Sequence, residues 1–197
     1  MNRPRWLIPV GIVVGVLLLV VLPLVGAYNR LVGQEATVDQ TFADLDAQLQ
    51  RRNDLIPNLV SAVRGALNQE QAVFGEIARA RTQYAGARTV EQKAEASQQV
   101  ESSLARLLLI FEAFPQLRSN ENIRDLQVQL EGTENRVNQS RRDYNGSVTE
   151  YNVQIRQFPR NIIAGIFGFD RKPLFEAAAE ARGAPSVDLE SGLTPSP

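Results

Sequence analysis

QRRNDLIPNLVSAVRG, residues 50–65, decides how the chain is read. Apolar residues recur through it at helical spacing, yet it holds two adjacent arginines, an aspartate and an internal proline. Working outward, Leu31, Val38, Phe42, Leu45 and Leu49 lead into it in a near-heptad phase, and Ile56, Leu59 and Val63 carry that phase onward. Arg52 takes a seam position between Leu49 and Ile56. The phase crosses residues 54–57 without a slip. The stretch therefore reads as one long helix with a charged residue in its seam, kinked at Pro57, where the Asn53 carbonyl loses its amide partner. A restart capped by Asp54, with Pro57 in the first turn, is the other reading.

Composition narrows the chemistry. There is no cysteine and no histidine among the 197 residues. Disulfides, thiolate metal sites and thiol catalysis are excluded, as are the usual general base and the commonest transition-metal ligand. A di-iron carboxylate site in a helical bundle needs Glu-x-x-His pairs, so its ordinary form cannot be built. Glu101 and Glu112 read as solvated helix surface. Net charge is −1, and residues 28–158 mix 15 basic with 17 acidic side chains. That is no nucleic-acid footprint. No Gly-x-Ser-x-Gly, phosphate-loop or dinucleotide pattern occurs. The reading is of a non-enzymatic protein without cofactor or metal.

Residues 6–27, WLIPVGIVVGVLLLVVLPLVGA, carry no charged side chain. As a helix they span about 33 Å, enough to cross a hydrocarbon core. Trp6 and Tyr28 flank the run, and Arg3 and Arg5 precede it, which places the N-terminus in the cytoplasm and the rest across the membrane. Cleavage after Val25-Gly26-Ala27 would instead make it a signal peptide, but the apolar run is long for that.

Four further helices are expected at 28–66, 69–85, 90–113 and 120–158. Asn68 with Gln71, and Thr89 with Gln92, have capping-box spacing, and Asn120 is placed to cap the last helix. Asn145-Gly146 inside that last helix reads as a weak point or bend. Short connections favour antiparallel neighbours. The expected fold is all-α: an N-terminal transmembrane helix, residues 1–27 with its cytoplasmic stub, then an antiparallel up-down four-helix bundle over 28–158 with long first and last helices. A membrane-proximal segment is expected at 159–175 and a disordered acidic tail at 176–197.

YNRLVGQE (28–35), RRNDLIPNLVSAVRG (51–65), EAFPQLRSNENIRDLQ (112–127), RRDYNGSVTEYN (141–152) and FPRNIIAGIFGFDRKPLF (158–175) together resemble the LemA family of membrane-anchored bacterial proteins. The resemblance runs over about residues 28–175. It implies a four-helix bundle behind one N-terminal span, in a family without an established catalytic activity. One branch is similar to proteins of magnetosome formation.

Placing the two long helices antiparallel sets residue 28 opposite 158 and residue 52 opposite about 134. Arg52 and Glu134 are thus expected to pair and fix register; the alternative is that Arg52 runs its stem out to water. The end of the last helix returns to the membrane side. Phe158, Arg160, Ile163, Phe167, Phe169 and Lys172 then make an apolar-basic segment that either meets the bilayer or folds back as core. At the far tip, Asn68, Arg118, Asn120 and Glu121 are a candidate partner surface. The middle helices are too short to cover the long ones, so the proximal seam (Leu31, Val38 and Phe42 against Tyr144, Tyr151 and Ile155) is expected to be a two-helix stalk open to a partner. The function expected is a scaffold or adaptor in a bacterial membrane assembly, partnered by the bilayer and by another membrane protein or a second copy. A bundle sensing a ligand in a polar interior cavity is the alternative.

Overall fold

A computed structural model describes residues 7–64, 71–114, 117 and 120–176. They form five helices: α1 (Leu7–Arg64), α2 (Gln71–Gly86), α3 (Val90–Ala113), α4 (Glu121–Gln154) and α5 (Arg160–Phe167). No strand occurs among the described residues.

The first departure from expectation is α1. The apolar run and the first bundle helix are one element of 58 residues, about 87 Å long. The side-chain composition changes from apolar to mixed near Ala27, but the backbone has no reason to break there. Leu24, Ala27, Tyr28 and Leu31 continue one face across the boundary, and the first three pack against the core. Pro57 lies inside the helix, and no restart at Asp54 takes place. An interior proline costs about 3 kcal/mol. Burial of Ile56, Leu59 and Val63 beside it offsets that loss, at roughly 1.5–3 kcal/mol for each side chain.

α1 and α4 run antiparallel, as contacts at three successive levels establish. Gln34 Nε2 donates to Glu150 Oε1 (3.0 Å), the Thr41 and Ser147 hydroxyls meet at 2.8 Å, and Arg52 meets Glu134. α2 and α3 pair with one another, tied by Arg106 to Glu76 (2.7 Å). The Thr89–Gln92 capping box forms at the start of α3. This hairpin lies over the half of α1 away from the apolar run. There Ile56, Leu59 and Val63 share a cluster with Phe74 and Ile77 of α2, Leu104 and Leu107 of α3, and Leu130 of α4.

α4 stops at Gln154, four residues short of the expected end. Pro159 biases Phe158 away from helical geometry and offers no amide to the Ile155 carbonyl, so the last turn tightens into three-residue bonds. α4 runs on through Asn145-Gly146.

The chain beyond α4 overturns the open stalk. α5 packs on the base of α1 through Ile163 and Ala164, and Gly168 then takes a left-handed turn (φ 75°) that reverses the chain. Residues 169–176 run back along α4 as an extended strap. Lys172 gives its N–H to Asn152 Oδ1 (3.0 Å) and its carbonyl accepts from Asn152 Nδ2 (2.8 Å). Phe175 repeats this with Asn145, at 2.8 and 3.4 Å. The match is metric. Seven residues of helix and three of extended chain both rise about 10 Å, so two asparagines on one face can each hold one strap residue. Between them Tyr144 donates its hydroxyl to the Pro173 carbonyl (2.8 Å). Leu31, Val38, Tyr144, Tyr151 and Ile155 are accordingly buried, in one cluster with Ile163, Ala164 and Phe175. The proximal seam already has its cover.

Two outcomes test this arrangement. Replacing Asn145 and Asn152 by alanine strands the part-buried amides of Phe175 and Lys172, each costing at most about 1–3 kcal/mol; tryptic cleavage after Arg171 should then accelerate, and an unchanged rate would show that the asparagines do not hold the strap. Burial, reinforced by nearby carboxylates, pushes the Tyr144 and Tyr151 hydroxyls up to about 12 from 10.0, and burial raises Tyr84 as well. Because the folded state holds these protons more tightly, their contribution to stability is full below pH 10 and is lost as pH rises through about 12. Loss of helicity should therefore track tyrosinate absorbance in that window, and Tyr144→Phe should shrink the loss.

Candidate functional site

Three groups of side chains stand out, each built where a shorter element meets α1. The deepest surrounds Arg52, which is fully buried (0% exposed) between the proximal and distal clusters. Its Nη1 donates to Glu134 Oε2 at 3.0 Å. Its Nη2 donates to the Ser97 hydroxyl (2.7 Å) and the Ser97 carbonyl (3.2 Å) on α3. The guanidinium thus joins three helices at one level, and it does not reach water along its stem. Glu134 is different: its side chain is 29% exposed. Arg52 Nε and the neighbouring Asn53 Oδ1 are buried without hydrogen-bond partners. A polar layer of this kind adds little net stability, because desolvation opposes the pairing, but it disfavours any other register.

The second group was not anticipated from sequence. Asp46 of α1 accepts from the Tyr84 hydroxyl of α2 (2.8 Å) and from the Lys93 ammonium of α3. Lys93 also lies over the Phe42 ring at 5.4 Å and the Tyr84 ring at 6.0 Å. The chain's other lysine, Lys172 of the strap, pairs with Glu35 of α1 at 2.7 Å. Both lysines thus tie a shorter element to a carboxylate of α1. Two lysines in an otherwise arginine-only cation set were the available signal.

The third group is the base. The six residues expected near the membrane divide. Ile163 is buried and Phe169 half-buried against the core, and Lys172 is carried up the rod by the strap. Arg160 is half-buried, with Nη1 donating to Gln157 (3.2 Å). Phe158 and Phe167 face outward. Tyr28 of α1 stacks against Phe167 and Phe169, with ring centroids 4.8 and 5.7 Å away, where the apolar run of α1 gives way to the polar rod.

Two of the four residues expected at the tip are described. Asn68 and Arg118 lie outside the described residues. Asn120 is exposed and caps α4, its side-chain oxygen accepting the Ile123 N–H at 3.4 Å. Glu121 is exposed in the first turn. A groove of about 650 Å³, lined by Ser97, Glu101, Arg141, Asn145 and Phe175 among others, lies open to solvent on the outside of α3 and α4. Among the described residues no three acidic side chains converge in a way that would hold a metal ion.

Comparison with known proteins fits this architecture. The LemA family pattern matches residues 41–189. The chain belongs to the LemA family. The match begins within α1 and extends past the strap, where the sequence resemblance had stopped at 175. Two relatives in Paramagnetospirillum magneticum, magnetosome proteins MamQ 1 and MamQ 2, are each 24% identical over 76% of this LemA chain and 64% of their own length. The magnetosome protein MamQ of Magnetospirillum gryphiswaldense is 32% identical over 38% of the chain and 27% of its own. This LemA protein thus spans less than two thirds of the relatives it matches.

The Arg52 layer makes an asymmetric prediction. Glu134→Ala leaves a sealed guanidinium without its counter-ion and should cost about 3–5 kcal/mol. Arg52→Met fills similar space and leaves a carboxylate that can turn to water, so its cost should be about 1 kcal/mol. Denaturant unfolding of the two variants gives both values. Equal costs, or the reverse order, would mean that Arg52 is not sealed in the folded protein.

Proposed function

We propose that this LemA protein is a non-enzymatic, single-pass scaffold of a bacterial membrane, its N-terminus cytoplasmic and its helical rod outside. In this reading residues 28–158 form an up-down four-helix bundle. The observation that carries it is the continuity of α1. A helix that leaves an apolar run and enters the core of the rod without a break transmits the position and tilt of the span directly to the bundle. The outward apolar side chains of that run, Leu19, Leu22 and Val25 among them, suit a lipid surround. The kinship to proteins named for the magnetosome supports a role in organising a membrane assembly. The partner expected is another membrane protein or a second copy, meeting the outer faces of the rod, since the proximal seam is closed by the strap. The same unbroken helix also favours a second reading, in which an event in the bundle is relayed through the span.

The native chain has no cysteine, so single-cysteine variants report topology cleanly. Leu109→Cys, on the exposed face of α3, should react with a membrane-impermeant maleimide in intact cells, and Arg3→Cys only after permeabilisation. The reverse pattern, or a mature chain that leaves the membrane fraction, would overturn the anchored scaffold. Photocrosslinkers at Leu109 and Val128 should recover a recurrent membrane-protein neighbour or a second copy; lipid adducts alone would count against a scaffold.

A further inference from the structure

α5 has two apolar faces where a surface helix needs one. Ile163 and Ala164 fill the core, yet Phe158, Ile162, Ile166 and Phe167 point away from it, with Phe158 81%, Ile166 71% and Phe167 61% exposed. Ile162 and Ile166 are spaced four apart and so form one stripe along the helix, and Phe158, two residues ahead of its start, is exposed as well. Such a stripe in water is unfavourable and marks a surface that something apolar covers.

The position of the stripe says what covers it. α5 packs on α1 at its base, and Phe167 touches Tyr28, the residue that directly follows the α1 apolar run with its outward Leu22 and Val25. Exposed arginines surround the base: Arg30 on α1, Arg156 after α4, and Arg171 after α5, with Arg160 half-buried at the helix start. Aromatic rings at the boundary, an apolar stripe and a fringe of arginines are the composition of a helix that lies in a phospholipid surface. We propose that α5 is an interfacial foot: its outer stripe sits in the boundary between acyl chains and headgroups, and the surrounding arginines meet lipid phosphates. This rests on the reading of α1 as a span and goes beyond it, because a span alone leaves the rod free to tilt. A second contact beside α1 fixes the tilt. It also gives the strap a further role, since the strap comes directly after α5 and clamps it to α4.

The test uses the full chain with Trp6→Phe, which removes the native tryptophan, reconstituted at one copy per nanodisc of phosphatidylcholine and phosphatidylglycerol. Ile166→Trp replaces an outward side chain, so folding is preserved. With bromine near the headgroup end of the acyl chains, emission from Trp at 166 should fall roughly two-fold, as expected for a side chain about 5–10 Å into the boundary. Leu109→Trp on α3 should be unaffected, and Leu18→Trp should respond to bromine placed deep in the chains. An unquenched probe at 166 beside a quenched probe at 18 overturns the foot and leaves the span intact. If neither probe is quenched, the span reading itself fails, and the foot with it. A probe at 166 that is shielded only when two copies share a disc assigns the stripe to a second copy, which also overturns the proposal.

Discussion

One constraint governs this fold: the apolar seam of a single very long helix has to be buried along the whole of the part that follows its apolar run. No helix connected by short turns matches that length on every side. α4 covers one flank from Ile123 to Tyr151. The α2–α3 hairpin covers the distal part and ends near the level of Asp46, where Tyr84 and Lys93 close it. Below that level the seam would lie open, and α5 with the strap fills the space. An extended strap covers more length per residue than a helix, about 3.3 Å against 1.5 Å, so a few residues after Gly168 suffice. The backbone polar groups of such a strap need partners, and Asn145, Asn152 and Tyr144 supply several of them.

A seam that is apolar throughout would also slide. Heptad-like surfaces pack nearly as well when displaced by one turn, and nothing in Leu, Val or Ile distinguishes one level from the next. The pairing of buried Arg52 with Glu134 is expected to remove that degeneracy. Displaced by a turn, its guanidinium would face the apolar positions next to Glu134 and lose Ser97 as well. With Arg52 in place, Gln34–Glu150 and Thr41–Ser147 fall into line along the same interface. The two arrangements are complementary: a polar layer sets where the long helices meet, and the strap seals the part that the hairpin leaves.

Much of this is readable in the sequence because helices announce themselves locally. The phase through Leu45, Leu49, Arg52 and Ile56, the range of α3 and the caps at Thr89 and Asn120 come from spacing and capping chemistry alone. Counting equal rises from both ends of an antiparallel pair brings residues 52 and 134 to one level, and the structure places Arg52 Nη1 3.0 Å from Glu134 Oε2. The strap is not readable in this way. Its signal is a tyrosine-asparagine pair repeated seven residues apart, Tyr144-Asn145 and Tyr151-Asn152, and local propensity marks that asparagine as a helix weakener when its side chain in fact serves a distant backbone. The boundary at Ala27 misleads for a related reason. Hydropathy reports side-chain character, and a helix keeps all of its backbone hydrogen bonds where that character changes. Lys93 and Lys172 carry little signal because a surface lysine is ordinarily uninformative, and only the fold shows that both reach carboxylates on α1.

Continuity of α1 has a mechanical consequence that ties the fold to the proposed role. Between Tyr28 and Arg64 the helix rises about 54 Å, and α4 stiffens it along most of that distance. A flexible linker lets a tethered domain explore a volume, and its effective concentration near a partner falls with linker length. A rod without a linker confines its tip to one height above the bilayer and its faces to directions set by the span. For catalysis on diffusing substrates such confinement is of little use. For holding another membrane protein, or a second copy, at a defined distance and orientation it removes entropy before association rather than during it. The arrangement works only if the rod does not lean. A helix crossing lipid tilts readily by tens of degrees when its ends alone define its position. The proposed second contact with the bilayer, set beside α1 and locked to α4 through the strap, would convert a long helix into a fixed spacer.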